Sequence, residues 1–172
     1  GIKFTRDQYF EAALLARSNA SCQLVYVSSE LGIEFTRDQY FEAALLARSN
    51  ASCQLVYVSS ELGIEFTRDQ YFEAALLAGS NASCQLVYVS SELGIKFTRD
   101  QYFEAALLAR SDALNQLMSV SSELGIEFTR DQYFEAATPT LERAVARKSF
   151  ITALFSMNRL CTDTKRAIFQ RI

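Results

Sequence analysis

The chain has 172 residues, 49% of them hydrophobic and 22% charged, with a formal net charge of −3 and no histidine. That apolar content excludes a disordered chain, and no apolar run approaches the ~18 residues of a membrane span. Without histidine, neither a Ser–His nor a Cys–His dyad nor the usual zinc-ligand set can be assembled, so no catalytic, cofactor or metal residues are assigned.

Four 31-residue blocks, Gly1 to Leu31, Gly32 to Leu62, Gly63 to Leu93 and Gly94 to Leu124, are nearly the same text, and a fifth begins at Gly125. A fixed period of this length means stacked supersecondary units, each too small to bury its apolar face alone. Gly1 is already in register and is not a Met, which points to a trimmed or excised chain. The opening residues lack the basic-then-apolar pattern of a signal peptide, so a cytoplasmic location is expected.

Within each block, Thr5 reads as an N-cap and Gln8 closes a T-x-x-Q capping box, while Phe4 is placed to staple onto Tyr9. The segment from Arg6 to Arg17 has no Gly or Pro and ends in helix-forming AALLA, so a first helix is expected across it. Ser18 and Asn19 then supply a turn and a second N-cap. The Asn-Ala-Ser triplets at Asn19, Asn50 and Asn81 match a glycosylation acceptor but are read as these caps.

The following ASCQLVYVSSEL also suits a buried strand. Helix is favoured, because the fourth block fills the same slot with the helix-prone run from Ala113 to Met118. Gly32 then stops the helix in a left-handed conformation. Wheel arithmetic places Phe10, Ala13 and Leu14 on one face of the first helix, continued by Tyr9, Ala12 and Ala16. On the second helix Leu24, Val27 and Leu31 form one face and Cys22 with Tyr26 the other, so both need cover. In the fourth block Asn115 and Ser119 replace the latter pair, and Leu114 and Met118 shift the apolar arc by about one residue. This helix is expected to meet something other than a standard repeat.

Cys22, Cys53 and Cys84 hold one repeat position. Equivalent stacked helices lie about 8–10 Å apart, beyond the ~7 Å reach of a disulfide, so these are expected to be free thiols. The tyrosine column Tyr9, Tyr40, Tyr71, Tyr102 and Tyr133 is read as core rather than as a ligand platform.

After Ala137 the text departs from the repeat. Thr138 as N-cap with Pro139 at the first helical position predicts a new helix, and a short last one follows Asp163. Residues 1–137 are thus a tandem array and 138–172 a helical C-terminal cap on the same stack, with no matching N-terminal cap.

Residues 1–137 resemble αα-hairpin solenoids as a class, the group that includes TPR-, HEAT- and armadillo-like proteins, without their signature residues and with a shorter period. The fold class expected is all-α, about four and a half helical hairpins with a helical cap. The resemblance implies an interaction scaffold and transfers no binding residues.

Two charged features are the candidate interaction sites. Asp7/Glu11, Asp38/Glu42, Asp69/Glu73, Asp100/Glu104 and Asp131/Glu135 recur at i,i+4, so stacking lines up ten carboxylates that attract basic partners or divalent cations, or form a solvated face with arginines pairing across repeats. Residues 1–137 carry 18 acidic and 10 basic residues, whereas 138–172 carry 2 and 7, the latter being Arg143, Arg147, Lys148, Arg159, Lys165, Arg166 and Arg171. That basic end can pair with an acidic stack or simply solvate its helix. Invariant copies on an acidic body argue against nucleic acid. A noncatalytic protein-interaction scaffold is therefore expected, its partner a protein or itself. The alternatives are a self-assembling structural protein, a homo-oligomer joined head-to-tail or as a dimer through its first repeat, and an engineered or recently duplicated array with no selected ligand.

Overall fold

A computed structural model describes residues 4–146. Among them the chain is all-helical, and its elements repeat as helical hairpins. The first hairpin comprises α1 (Arg6–Leu14) and α2 (Ala20–Leu31), the second α3 (Arg37–Leu45) and α4 (Ala51–Leu62). The third comprises α5 (Arg68–Leu76) and α6 (Ala82–Leu93), and the fourth α7 (Arg99–Leu107) and α8 (Ala113–Leu124). A longer α9 (Arg130–Ala146) follows. Each first helix packs on its own second helix, and each second helix on the next first helix. The result is two layers, α1, α3, α5, α7 and α9 side by side in one and α2, α4, α6 and α8 in the other.

Local chemistry starts each hairpin as the motif predicts. The Thr5 side chain accepts from the Gln8 backbone N–H and the Gln8 side chain accepts from that of Thr5, a reciprocal box repeated at Thr36, Thr67, Thr98 and Thr129. Phe4 meets Tyr9 edge-on at 5.6 Å between ring centroids, and the four later pairs do so at 5.9 Å. Such pairs contribute about 0.5–1.5 kcal/mol beyond the area they bury. The second helix stops at Gly32, whose φ of 63° is left-handed and lets its N–H reach the Ser28 carbonyl.

The first helix is shorter than its propensity suggests, ending at Leu14 rather than Arg17. A 3₁₀ turn over Arg17–Asn19 follows, with Ala16 N–H bonded to the Ala13 carbonyl and Asn19 N–H to that of Ala16. This turn also overrides the expected Asn19 cap. Ala20 N–H bonds the Arg17 carbonyl, so the chain enters α2 with amides already satisfied, and Asn19, Asn50 and Asn81 make no side-chain capping bond.

Between the layers the core is a set of repeated columns. Leu24, Leu55, Leu86 and Leu117 are wholly buried, as are Ala20, Ala51, Ala82 and Ala113. Burying each leucine contributes about 2 kcal/mol. Tyr40, Tyr71 and Tyr102 belong to this core, as expected, and Val58, Val89 and Val120 join it. The opposite, Cys22/Tyr26 side of α2 is covered only in part: the buried arc is centred on Leu24 and Val25, Cys22 is half-buried beside Gln54 of the next repeat, and Tyr26 is exposed. Leu31 is exposed as well, whereas Leu62, Leu93 and Leu124 are half-buried. Nor does the arc of α8 rotate. Leu117 and Val120 are as buried as their counterparts, Leu114 joins them, and Asn115 and Ser119 lie on the exposed side.

The fifth block departs most from expectation. Thr138 is not an N-cap; α9 runs unbroken through Pro139. Proline in a helix interior removes one backbone bond and crowds the preceding turn. Tertiary contacts hold the helix there. Thr138 Oγ1 donates to the Phe134 carbonyl at 3.0 Å, Thr140 Oγ1 donates to the Ser111 carbonyl at 2.6 Å, and Leu141 is buried where the repeats carry a turn residue. The expected boundary at 137/138 therefore falls inside a helix. The caps and helices foreseen beyond residue 146 lie outside the described residues.

Candidate interaction surface

The ten carboxylates of the predicted strip all sit on exposed positions of the first-helix layer: Asp7, Asp38, Asp69, Asp100 and Asp131, with Glu11, Glu42, Glu73, Glu104 and Glu135 one helical turn further on. Leu15 continues the stripe of Asp7 and Glu11 at the helix end. It is exposed, and Leu46, Leu77 and Leu108 remain 41–45% exposed inside the array. Each hairpin thus presents Asp, Glu and Leu in line, and the fifth stripe ends on Pro139. The leucines escape sequence reasoning because AALLA reads as continuous apolar helix. Leu15 lies past the last helical residue, where the chain is already turning.

Arginines modify this surface differently from expectation. Arg6 pairs with the adjacent Asp7 at 3.5 Å, and Arg37, Arg68 and Arg99 do likewise with Asp38, Asp69 and Asp100 at 3.7–3.9 Å, within a repeat rather than across repeats. With the aspartates 79–86% exposed, such pairs add little stability and leave the carboxylates open to a partner. The glutamate half of the strip corrects the expectation further. Glu42, Glu73, Glu104 and Glu135 are exposed but take no part in these ion pairs, because each arginine turns to the aspartate beside it in sequence rather than to a glutamate of a neighbouring hairpin. One bond does cross repeats on this side, from Gln132 Nε2 to Asp100 Oδ1 at 3.3 Å.

The second-helix layer is joined by a polar clamp. Gln54 Oε1 accepts from Ser21 Oγ at 2.6 Å and from Cys22 Sγ at 3.0 Å, both in the preceding repeat. Gln85 does the same with Ser52 and Cys53, and Gln116 with Ser83 and Cys84. The three cysteines are free thiols, as their spacing implies. Burial pushes the Cys53 thiol above its ordinary pKa, opposed by its bond to Gln85. Outside the clamp, Tyr26, Tyr57 and Tyr88 form an exposed aromatic row that ends at Ser119.

Between the second and third repeats lies a cleft of about 380 Å³, lined by Ser59, Ile64, Glu65, Phe66, Tyr71 and Leu93 among others. Its polar groups already bond one another: Ser59 Oγ donates to the Ile64 carbonyl at 2.7 Å and lies 2.6 Å from the Tyr71 hydroxyl. Burial raises the pKa of Tyr71, against the lowering effect of Ser59 and with a smaller raising contribution from Glu65. Tyr71 is therefore a neutral donor at ordinary pH.

No group of three or more possible metal-ligating residues converges among the described residues, so the strip is a line of separate Asp–Glu pairs and does not gather Glu42, Glu73, Glu104 or Glu135 into a divalent-cation cage. No described helix is long and apolar enough to cross a membrane. Of the predicted basic end, Arg143 is exposed and donates from Nη1 to Ser111 Oγ at 2.9 Å; Arg147, Lys148, Arg159, Lys165, Arg166 and Arg171 lie outside the described residues. Compared with protein-family models, with curated proteins and with solved structures, the chain matches none of them.

Proposed function

We propose that this chain is a noncatalytic interaction scaffold whose repeated Asp–Glu–Leu stripes take an extended partner bearing alternating cationic and apolar groups. The observation that carries this reading is the line of Leu46, Leu77 and Leu108, left 41–45% exposed beside exposed carboxylates in consecutive repeats. A carboxylate row alone is the ordinary solvated face of a helix. Leucines set in the same row add apolar area that a partner can bury, and the carboxylates set which partner approaches. Repetition favours a repetitive ligand, because each additional stripe engaged adds contacts at high effective concentration. A chain without histidine has few routes to acid–base or nucleophilic chemistry, which also favours binding over catalysis.

The test is fluorescence anisotropy with a labelled peptide of alternating lysine and leucine. Binding is expected to weaken from low salt to ~0.5 M, where the Debye length falls below ~5 Å. Replacing Leu46, Leu77 and Leu108 together with serine is expected to weaken it at least about tenfold while leaving helicity unchanged. Absence of binding at low salt, or equal binding by the triple variant, overturns the proposal.

A further inference from the structure

The second-helix layer carries a charge pattern of its own, on the side of the array away from the Asp–Glu–Leu stripes. Its helices α2, α4, α6 and α8 contain no lysine or arginine. Glu30, Glu61 and Glu92 are exposed there and take part in no ion pair among the described residues. One turn before them stand the exposed Tyr26, Tyr57 and Tyr88, so ring and carboxylate share a helix face. Tyr57 and Tyr88 remain 40% exposed inside the array, where helices pack on both sides. Each phenol lies by the seam with the preceding helix. Partial burial, Glu61 and the Cys22 thiol raise the pKa of Tyr57, and partial burial, the Cys53 thiol and Glu92 raise that of Tyr88. In the fourth repeat Ser119 replaces the ring and donates to Glu123 at 2.6 Å.

A tyrosine face beside a carboxylate attracts a cation. Guanidinium suits it best, because it stacks on the ring and donates paired N–H groups to the carboxylate. The interval decides what carries the cations. Packed helices lie about 8–10 Å apart, so the tyrosines recur at that spacing. An extended strand brings same-face side chains round every ~6.6 Å and falls out of step with them. A polyproline II helix repeats every three residues, about 9.3 Å, and keeps step; it is also already ordered before it binds. We propose that the row of Tyr26, Tyr57 and Tyr88, with Glu30, Glu61 and Glu92, binds a polyproline II segment bearing arginine at every third residue. This surface is separate from the stripes of the first-helix layer, and the two can be occupied together.

The test is fluorescence anisotropy of the full chain with labelled (Arg-Pro-Pro)4 at low ionic strength, a peptide of about 37 Å that spans four helices. Saturable binding is expected. Tyr57→Ala with Tyr88→Ala should weaken it about five- to thirtyfold, the loss of two exposed cation–π contacts, with helicity unchanged because both rings lie on the surface. Ser119→Tyr should tighten it about two- to fivefold by extending the row to the fourth repeat. Replacing Leu46, Leu77 and Leu108 together with serine should leave it unchanged. No saturable binding overturns the proposal, as does equal binding by the double tyrosine variant or a loss caused by the leucine changes instead. A peptide of the same composition with its four arginines contiguous is expected to bind more weakly; equal or tighter binding would remove the match of spacing and overturn the proposal. A helical peptide with arginine at every seventh residue, ~10.5 Å apart, is also expected to bind more weakly, and tighter binding would make a helix the occupant instead.

Discussion

Ser59 and Tyr71, which belong to successive repeats, share a hydrogen bond of 2.6 Å inside the stack. Ser59 commits its one proton to the Ile64 carbonyl, so Tyr71 donates and Ser59 accepts. Tyr71→Phe deletes that bond without leaving the serine proton unpaired and is expected to cost about 1 kcal/mol. Ser59→Ala strands a buried tyrosine hydroxyl and should cost more, about 1–3 kcal/mol. Urea denaturation of the two variants measures the order; equal values would show that the hydroxyl finds another partner.

Alkaline titration probes the same column. Burial raises the pKa of Tyr40, Tyr71 and Tyr102, in each case against a lowering serine bond. A pKa raised on folding means that stability is fully present below the unfolded tyrosine value near 10 and is lost as pH climbs through the folded values, because the unfolded chain releases its protons first. Melting temperature should hold steady up to about pH 9 and fall above about pH 10. The triple Tyr→Phe variant should show a shallower fall from a lower starting value.

What could be read from the sequence was what local spacing determines. The Thr5–Gln8 box, the Phe4–Tyr9 staple and the Gly32 stop involve residues within five positions of one another or a single backbone angle, and all are present. The bonds between repeats were not legible, because Ser28 to Tyr40 and Ser21 to Gln54 depend on how one hairpin is set against the next. A signal for the second existed. Ser21 is a polar residue within the apolar arc, and where the array ends its position becomes Leu114. The continuous α9 was missed because the Pro139 rule is local, whereas Leu141 and Thr140 anchor the helix through the distant turn at Ser111.

The glutamine clamp gives a prediction about where the array is most sensitive. Gln85 Oε1 takes two donors, one of them on the wholly buried Ser52. Gln85→Ala removes an acceptor from a buried hydroxyl and is expected to destabilise by about 1–3 kcal/mol. Ser52→Ala, which leaves Gln85 with its thiol partner and a half-exposed side chain, should cost under about 1 kcal/mol. Combining the two should cost less than their sum, since they remove one shared interaction. A strictly additive double mutant would separate the clamp into independent contacts.

Gly79 stands where the first, second and fourth repeats carry arginine, and the backbone explains how both residues act there. Arg17, Arg48 and Arg110 sit at φ of 50–51°, and Gly79 at 57°, all in the left-handed region. An L side chain there strains against its own carbonyl by about 1 kcal/mol or more, while glycine does not. A β-carbon at Gly79 would meet nothing within 4 Å, so packing does not offset that strain. Gly79→Ala is therefore expected to lower stability by about 1 kcal/mol, and Arg48→Gly to raise it by up to about 1 kcal/mol. Paired thermal melts decide the matter. Opposite signs at the two sites place the effect in the backbone turn; a loss on Arg48→Gly would instead give the arginine side chain a contact that outweighs the strain.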